Sequence, residues 1–332
     1  MLWLHEGDFN KKISGGQPLY FKTGIWYLDK ILKNILPFFR LLPEDKFDCV
    51  HFISPVILSP RLFTNRIFIN LALRKSRFSI LAAAGTDSIY LKYCKDYRYN
   101  PIDSIISEDG KFDSVYNLKY LMNTNTFIAS RVDKIVAYSY DYYYPYSKTD
   151  YFSKLVFVPM PVIVKDFFND KLKSKVEVVP RILLGANKKS FKGYRLMYNA
   201  LMLVKREFKD KIIIEAPTFL NSEEWEKKVF ECTILMDQCF SYSPGMNALK
   251  ALSLGKIVLS GSEPEFEKLV GAKSPIVNIV PDSNQIYHQL RFLLVDTLSL
   301  NERSYNSYSY VKVNHSSVNI AQKILLLLQD NV

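Results

Sequence analysis

The strongest constraint on the fold of this chain is a series of short, continuously apolar, β-rich runs separated by longer helical patterns. Leu2–His5, Cys49–Ile53, Phe78–Ala83, Lys134–Tyr138, Lys154–Pro159, Arg181–Gly185, Lys211–Glu215, Ile234–Phe240, Lys256–Ser260 and Ile276–Ile279 are the candidate strands. Most lack alternation of apolar and polar residues, so each needs cover on both faces. Such strands belong in parallel sheets layered with helices, and their alternation with helices along the chain specifies an α/β fold.

The helical stretches carry their own periodicity. Met197, Ala200, Leu201, Val204 and Phe208 form one face after Gly193, and Leu28, Ile31, Leu32, Ile35 and Leu36 form another before Pro37. Ile320–Leu328 is an apolar helix. The polar stretch Lys165–Pro180, "KDFFNDKLKSKVEVVP", is the best boundary. Two α/β domains are therefore expected, 1–165 and 166–315, with a final helix at 316–332 able to pack back on the first. The tyrosine-rich Tyr138–Ser147, "YSYDYYYPYS", reads as a partly exposed loop after a strand.

The formal net charge of +11 favours anionic partners, and residues 1–86 hold twelve Lys/Arg against six Asp/Glu. No nucleic-acid recognition motif accompanies the charge, so nucleic acid is not expected as a partner. The cysteines Cys49, Cys94, Cys232 and Cys239 form no Cys-x-x-Cys pair, and Cys49 and Cys239 read as buried thiols. That usage suits a reducing, cytoplasmic compartment. Neither a signal peptide nor a membrane-spanning run is legible. "IWYLDKILKNILPFFRLL" joins an apolar face to Lys30, Lys33 and Arg40. It reads either as a core helix or as a peripheral anchor on an anionic membrane surface.

Two stretches carry the candidate chemistry. In "RILLGANKKSFKGYRLMYNAL" a strand ends at Gly185, a loop carries Lys188, Lys189 and Lys192, and a helix starts after Gly193. Lysines at a strand end beside a helix start make an anion site. In "SYSPGMNALKALSLGKIVLSG", Gly245 allows close backbone approach, and the amides of Met246, Asn247 and Ala248 open a helix whose dipole favours negative charge. Together the two stretches describe a diphosphate pocket.

The order of these elements resembles the retaining nucleotide-sugar glycosyltransferases built from two Rossmann-like domains facing a cleft, the GT-B fold. The resemblance rests on Gly185, Lys192-Gly193, Asp237, Gly245–Leu249, Gly255-Lys256 and Pro264-Glu265, and more loosely on "AAAGTDS", "SRVDKIVAYS", "KLVFVPMPV" and "VNHSSVNIAQKI". It implies transfer of a sugar from a nucleotide-sugar donor to a glycan or lipid-linked glycan, in surface polysaccharide assembly, without a metal cofactor. Lys192, Lys188 or Lys189 and the Met246–Ala248 amides would stabilise the leaving diphosphate. Asp87 would meet an acceptor hydroxyl, and Lys250 could add a cation. The family's two glutamates, eight positions apart, fall at Tyr242 and Lys250, and its histidine falls at Ala84. Those departures keep a second reading open, a non-catalytic binding or scaffolding subunit of a glycan-assembly complex.

Overall fold

A computed structural model describes residues 2–3, 17–18, 23–43, 46–58, 64–85, 87–109, 118–165, 179–185, 189–217 and 220–329. Among the described residues eleven strands run in chain order: β1 (Leu2–Trp3), β2 (Gln17–Pro18), β3 (Phe47–Phe52), β4 (Ser76–Ala83), β5 (Lys134–Ala137), β6 (Leu155–Phe157), β7 (Arg181–Leu184), β8 (Ile213–Glu215), β9 (Ile234–Met236), β10 (Ile257–Ser260) and β11 (Val277–Asn278). Every pairing between them is parallel. They form a β1–β2 pair, a four-stranded sheet β3-β4-β5-β6 and a five-stranded sheet β11-β10-β9-β7-β8. Each of the ten candidate strands has a counterpart, β3 and β4 each starting two residues earlier than their candidates and the rest lying within theirs, and β2 is an addition. The candidate boundary lies almost wholly outside the described residues.

The apolar runs are covered on both faces, as parallel strands require. In β7, Ile182 and Leu184 enter one core with Met197, Ala200, Leu201 and Val204. Leu183, between them, enters a second core with Ala248, Leu249 and Leu252 on the opposite face. Full burial of such a side chain contributes about 1.5–3 kcal/mol. In the four-stranded sheet, Leu81, Ala83, Ile135 and Ala137 pack under the connecting helices. Phe78, Ile80, Val136 and Val158 face the other way, where Ile320 of the last helix, Ser317–Gln329, covers them. The chain thus returns from the second sheet to roof the first.

Three expectations need correction. Tyr138–Ser147 is no exposed loop: Tyr140–Ser147 is helical, and Tyr146 is fully buried. Cys49 is only half-buried, although burial still pushes its thiol up to about 11. The helix Trp26–Leu41 also runs straight through Pro37, and the side it buries carries Asn34, Pro37 and Leu41. Ile31 and Ile35 of the sequence-derived face point outward.

Where the chain crosses back, Val162 N–H donates to the carbonyl of His315 at 2.8 Å, and Ser317 N–H donates to that of Val162 at 2.9 Å. The His315 ring is wholly buried, and its Nδ1 lies 2.9 Å from the Met160 carbonyl. A carbonyl only accepts, so Nδ1 carries the proton. Desolvation lowers the His315 pKa to about 4, below the unfolded value of 6.5. Between those values the unfolded chain binds the extra proton, so this group's contribution to stability falls as pH falls. His315→Gln should therefore be less stable than wild type at pH 7.5, with the gap in melting temperature narrowing steadily towards pH 4.5; calorimetric melts across that range check it.

Candidate functional site

Strand order in the five-stranded sheet reverses between β7 and β9, since β8 lies on one side of β7 while β9, β10 and β11 lie on the other. In a doubly wound sheet, ligands bind outside the strand C-termini at such a reversal. Here β7 runs into Gly185 and β9 into Asp237, and Gly185 N–H donates to the Met236 carbonyl at 2.9 Å.

The loop after β7 is pressed onto the end of β9. Lys189–Lys192 makes a short helix, and Gly193 then opens Tyr194–Phe208 with φ +75°. A Cβ at Gly193 would lie 2.3 Å from Cys239 Sγ and 2.9 Å from the Phe240 ring, so no other residue fits. Cys239 N–H donates to the Lys192 carbonyl at 3.1 Å. This fixes the Lys192 side chain over the crevice, where Nζ stands 2.5 Å from Asp237 Oδ1. Asp237 is fully buried and Lys192 nearly so.

The third component is the start of the helix Met246–Ser253. Gly245 is its N-cap, in extended conformation, with no side chain capping the first amides. Asp237 Oδ2 is buried without a hydrogen-bond partner, and lies 3.2 Å from where a Gly245 Cβ would stand. Lys192 and Gly245 therefore meet at the Asp237 carboxylate, with Gly185 against the Met236 and Asp237 backbone carbonyls and Gly193 against Cys239 and Phe240. A cation, a helix N-terminus and a glycine-lined approach are what an anionic ligand needs. In this structure Asp237 supplies the negative charge. The sequence showed Asp237 only as part of the motif, with no role attached.

The remaining site candidates are placed differently. Lys188 lies outside the described residues, and Lys189 is placed by its backbone at the start of the short helix. Lys250 Nζ is 3.7 Å from Glu226 Oε1, on the side of the helix Ser222–Glu231, whose Trp225 ring borders Gly185. Met246 is exposed, Asn247 half-buried and Ala248 buried. Asp87, expected to meet an acceptor hydroxyl, is a buried helix cap instead. Its carboxylate accepts from the Ile89 and Tyr90 amides at 2.7 and 3.1 Å and from the Tyr146 hydroxyl at 2.8 Å. Burial raises its pKa, and those hydrogen bonds pull the other way.

Tyr242, at the position of the family's first glutamate, is buried in a seam that joins the two halves. Its hydroxyl accepts from the Arg98 backbone N–H at 2.9 Å and from Arg98 Nε at 3.1 Å. Its ring packs on Tyr97, Tyr99 and Tyr140 at centroid distances of 4.9, 5.0 and 5.6 Å. Arg98 Nη2 also reaches Glu263 at 2.6 Å, and the Tyr99 hydroxyl donates to Glu263 at 2.6 Å. From the tyrosine-rich helix, Asp141 accepts from Ser241 Oγ at 2.9 Å and from the Tyr242 amide at 3.0 Å. Desolvation raises the Asp141 pKa, against those hydrogen bonds. Sequence reasoning missed Arg98, Tyr99, Asp141 and Glu263. The one available signal was the density of tyrosines around Asp141.

No protein-family model matches this chain, and no curated protein does. Solved structures do. The chain is similar to Anabaena HepE in complex with UDP-glucose, at 10% identity over 91% of this chain and 84% of that one, with a TM-score of 0.56. Sucrose-phosphate synthase from Thermosynechococcus elongatus matches at 12% identity over 94% and 80%, with a TM-score of 0.58. The pneumococcal O-GlcNAc transferase GtfA, in complex with UDP and GlcNAc, matches at 13% identity over 89% and 59%, with a TM-score of 0.54. The shared feature is the fold: two Rossmann-like domains of the GT-B glycosyltransferase type.

Two substitutions probe this arrangement. Gly193→Ala forces a Cβ into Cys239 and Phe240 at a left-handed φ, and should lower stability by about 2–4 kcal/mol in denaturant unfolding. Tyr242→Phe leaves the Arg98 amide without its acceptor and should cost about 1–3 kcal/mol by the same measurement.

Proposed function

We propose that this chain is a glycosyltransferase that takes a sugar from a uridine diphosphate sugar and passes it to a glycan or lipid-linked glycan, with retention, in polysaccharide assembly. The observation that carries the reading is the meeting of Lys192 and the uncapped Gly245–Ala248 turn at the switch point of the five-stranded sheet. The UDP-glucose bound to HepE and the UDP bound to GtfA support the choice of nucleotide. The bond between the anomeric carbon and the β-phosphate oxygen breaks, and its electron pair stays on the phosphate. The acceptor hydroxyl oxygen bonds the anomeric carbon, and its proton goes to the leaving diphosphate. Lys192 and the amides of Met246, Asn247 and Ala248 stabilise the charge that grows there. The Lys250 cation stands one turn further along the same helix. The chain's own cations and amides fill the role a metal would have, and the working compartment is the cytoplasmic side of a membrane that presents the acceptor.

Because Asp237 already neutralises Lys192, the diphosphate has to compete with it. Asp237→Asn keeps the shape and removes the competing charge. It should bind UDP at least about tenfold more tightly than wild type in calorimetric titration, since a charge-assisted contact is worth about 1.5–3 kcal/mol. Lys192→Ala in the Asp237→Asn background should lose that gain. Wild-type and Asp237→Asn proteins that both fail to bind UDP or UDP-sugars would contradict the reading.

A second reading has a specific observation in its favour. Lys192 is engaged by Asp237 and Tyr242 by Arg98, so two of the candidate donor-site groups already have partners within the chain. That arrangement suits a non-catalytic scaffold of the same fold. UDP binding without any sugar transfer to glycan acceptors would select it.

A further inference from the structure

The crevice beyond β7 and β9 has two walls, the Lys192 loop and the turn before Met246, and one short segment of the first half touches both. On the loop side, the Ser190 carbonyl accepts from Gly193 N–H at 3.3 Å and from the Ser104 hydroxyl at 3.0 Å. Ser104 is buried, in the helix Pro101–Asp109 of the first half, 86 residues away in the chain. On the turn side, Arg98 holds the Tyr242 hydroxyl through its backbone N–H and Nε, three residues before Gly245. The Tyr97 hydroxyl donates to the Asp141 carbonyl at 2.9 Å, and Asp141 in turn accepts from Ser241 Oγ and the Tyr242 amide. Tyr140 N–H completes that grip by donating to Ser243 Oγ at 2.9 Å.

Five residues, Tyr99–Asp103, separate the two grips, and they are stiff. Pro101 has its φ fixed by its ring and opens the helix. Asn100 is buried before it and caps that helix: Asp103 N–H donates to Asn100 Oδ1 at 3.0 Å, and Asn100 Nδ2 donates to Asp103 Oδ2 at 2.7 Å. Ile102 packs with Tyr90 and Cys94 in a small core of the first half. A stiff span tied at both ends fixes the spacing of what it is tied to. The tie at Ser190 also has nothing to do with the Lys192–Asp237 pair. A diphosphate that takes Lys192 from Asp237 breaks that pair and leaves the Ser104 hydrogen bond in place.

We infer that Tyr97–Ser104 is a positioning segment for the anion site. Acting through Ser190 and Tyr242, it holds the Lys192 loop and the Gly245 turn at the separation that one diphosphate bridges. A cation and a set of helix amides reinforce each other at a single ligand when they are held to within about 0.5 Å of the productive geometry. The first half thereby sets the affinity of a site built from residues of the second. The inference rests on the anion-site reading given under the proposed function.

The test compares Ser104→Ala with Ser79→Ala by calorimetric titration with UDP. Each removes a buried serine hydroxyl from the first half; that of Ser79 donates to Asp133 Oδ2 at 2.6 Å in the four-stranded sheet. Ser104→Ala should bind UDP about three- to tenfold more weakly than wild type, the effect of one lost hydrogen bond. Its amides at 189–193 should also exchange faster in the absence of ligand. Ser79→Ala should melt lower than wild type and bind UDP equally well. Equal UDP affinity in wild type and Ser104→Ala overturns this inference alone. An equal loss of affinity in Ser79→Ala also overturns it, because the effect would then be one of overall stability. UDP binding by neither wild type nor Asp237→Asn overturns the anion-site reading, and this inference with it.

Discussion

The buried pair between Lys192 and Asp237 is the interaction on which the rest of the site depends. Burying either charge alone costs several kcal/mol, so each holds the other in place. The pair spans the reversal in strand order, tying the loop after β7 to the end of β9. Two glycines flank it: a Cβ at Gly193 would run into Cys239 and Phe240 just beyond β9, and one at Gly245 would crowd Asp237 Oδ2 at 3.2 Å. Neighbouring orphan Oδ2 faces the helix start, where a dipole favours negative charge. In the proposed reading this is the anion site, and Asp237 is the negative charge now paired with Lys192 there.

The second organising contact is the tyrosine seam. Aromatic rings bring large apolar area, and their hydroxyls demand partners when buried. Arg98, Glu263 and Asp141 supply those partners from both halves of the molecule. The seam ties the two halves together through Tyr242, Arg98, Glu263 and Asp141. Separating the halves at this point means breaking charge-assisted hydrogen bonds as well as ring packing.

The parallel sheets were legible because burial on both faces leaves an uninterrupted apolar run in the sequence, as in Ile234–Met236 and Ile257–Ser260. Gly185, Gly193 and Gly245 were legible because each interrupts a strand–helix pattern where the chain must turn tightly. The seam was not, because its pairs lie about a hundred residues or more apart, as Asp141 does from Ser241 and Arg98 from Glu263. Asp87 misled because a carboxylate after a glycine turn serves equally to cap a helix or to bind a ligand. The helix at Trp26 misled because its apolar residues satisfy the periodicity of a core face, while the buried side is built on Asn34 and Pro37. Periodicity identifies a face and says nothing of what covers it.

Amide hydrogen exchange with and without saturating UDP tests the central claim most directly. The claim is that the Gly245 turn and the Lys192 loop form one anion site. Exchange at the first amides of a helix is fast unless something accepts from them. The account predicts that UDP slows exchange at Met246, Asn247 and Ala248 together with the 189–193 segment, and leaves the four-stranded sheet unchanged. Protection elsewhere in the molecule, with those amides unaffected, would contradict it.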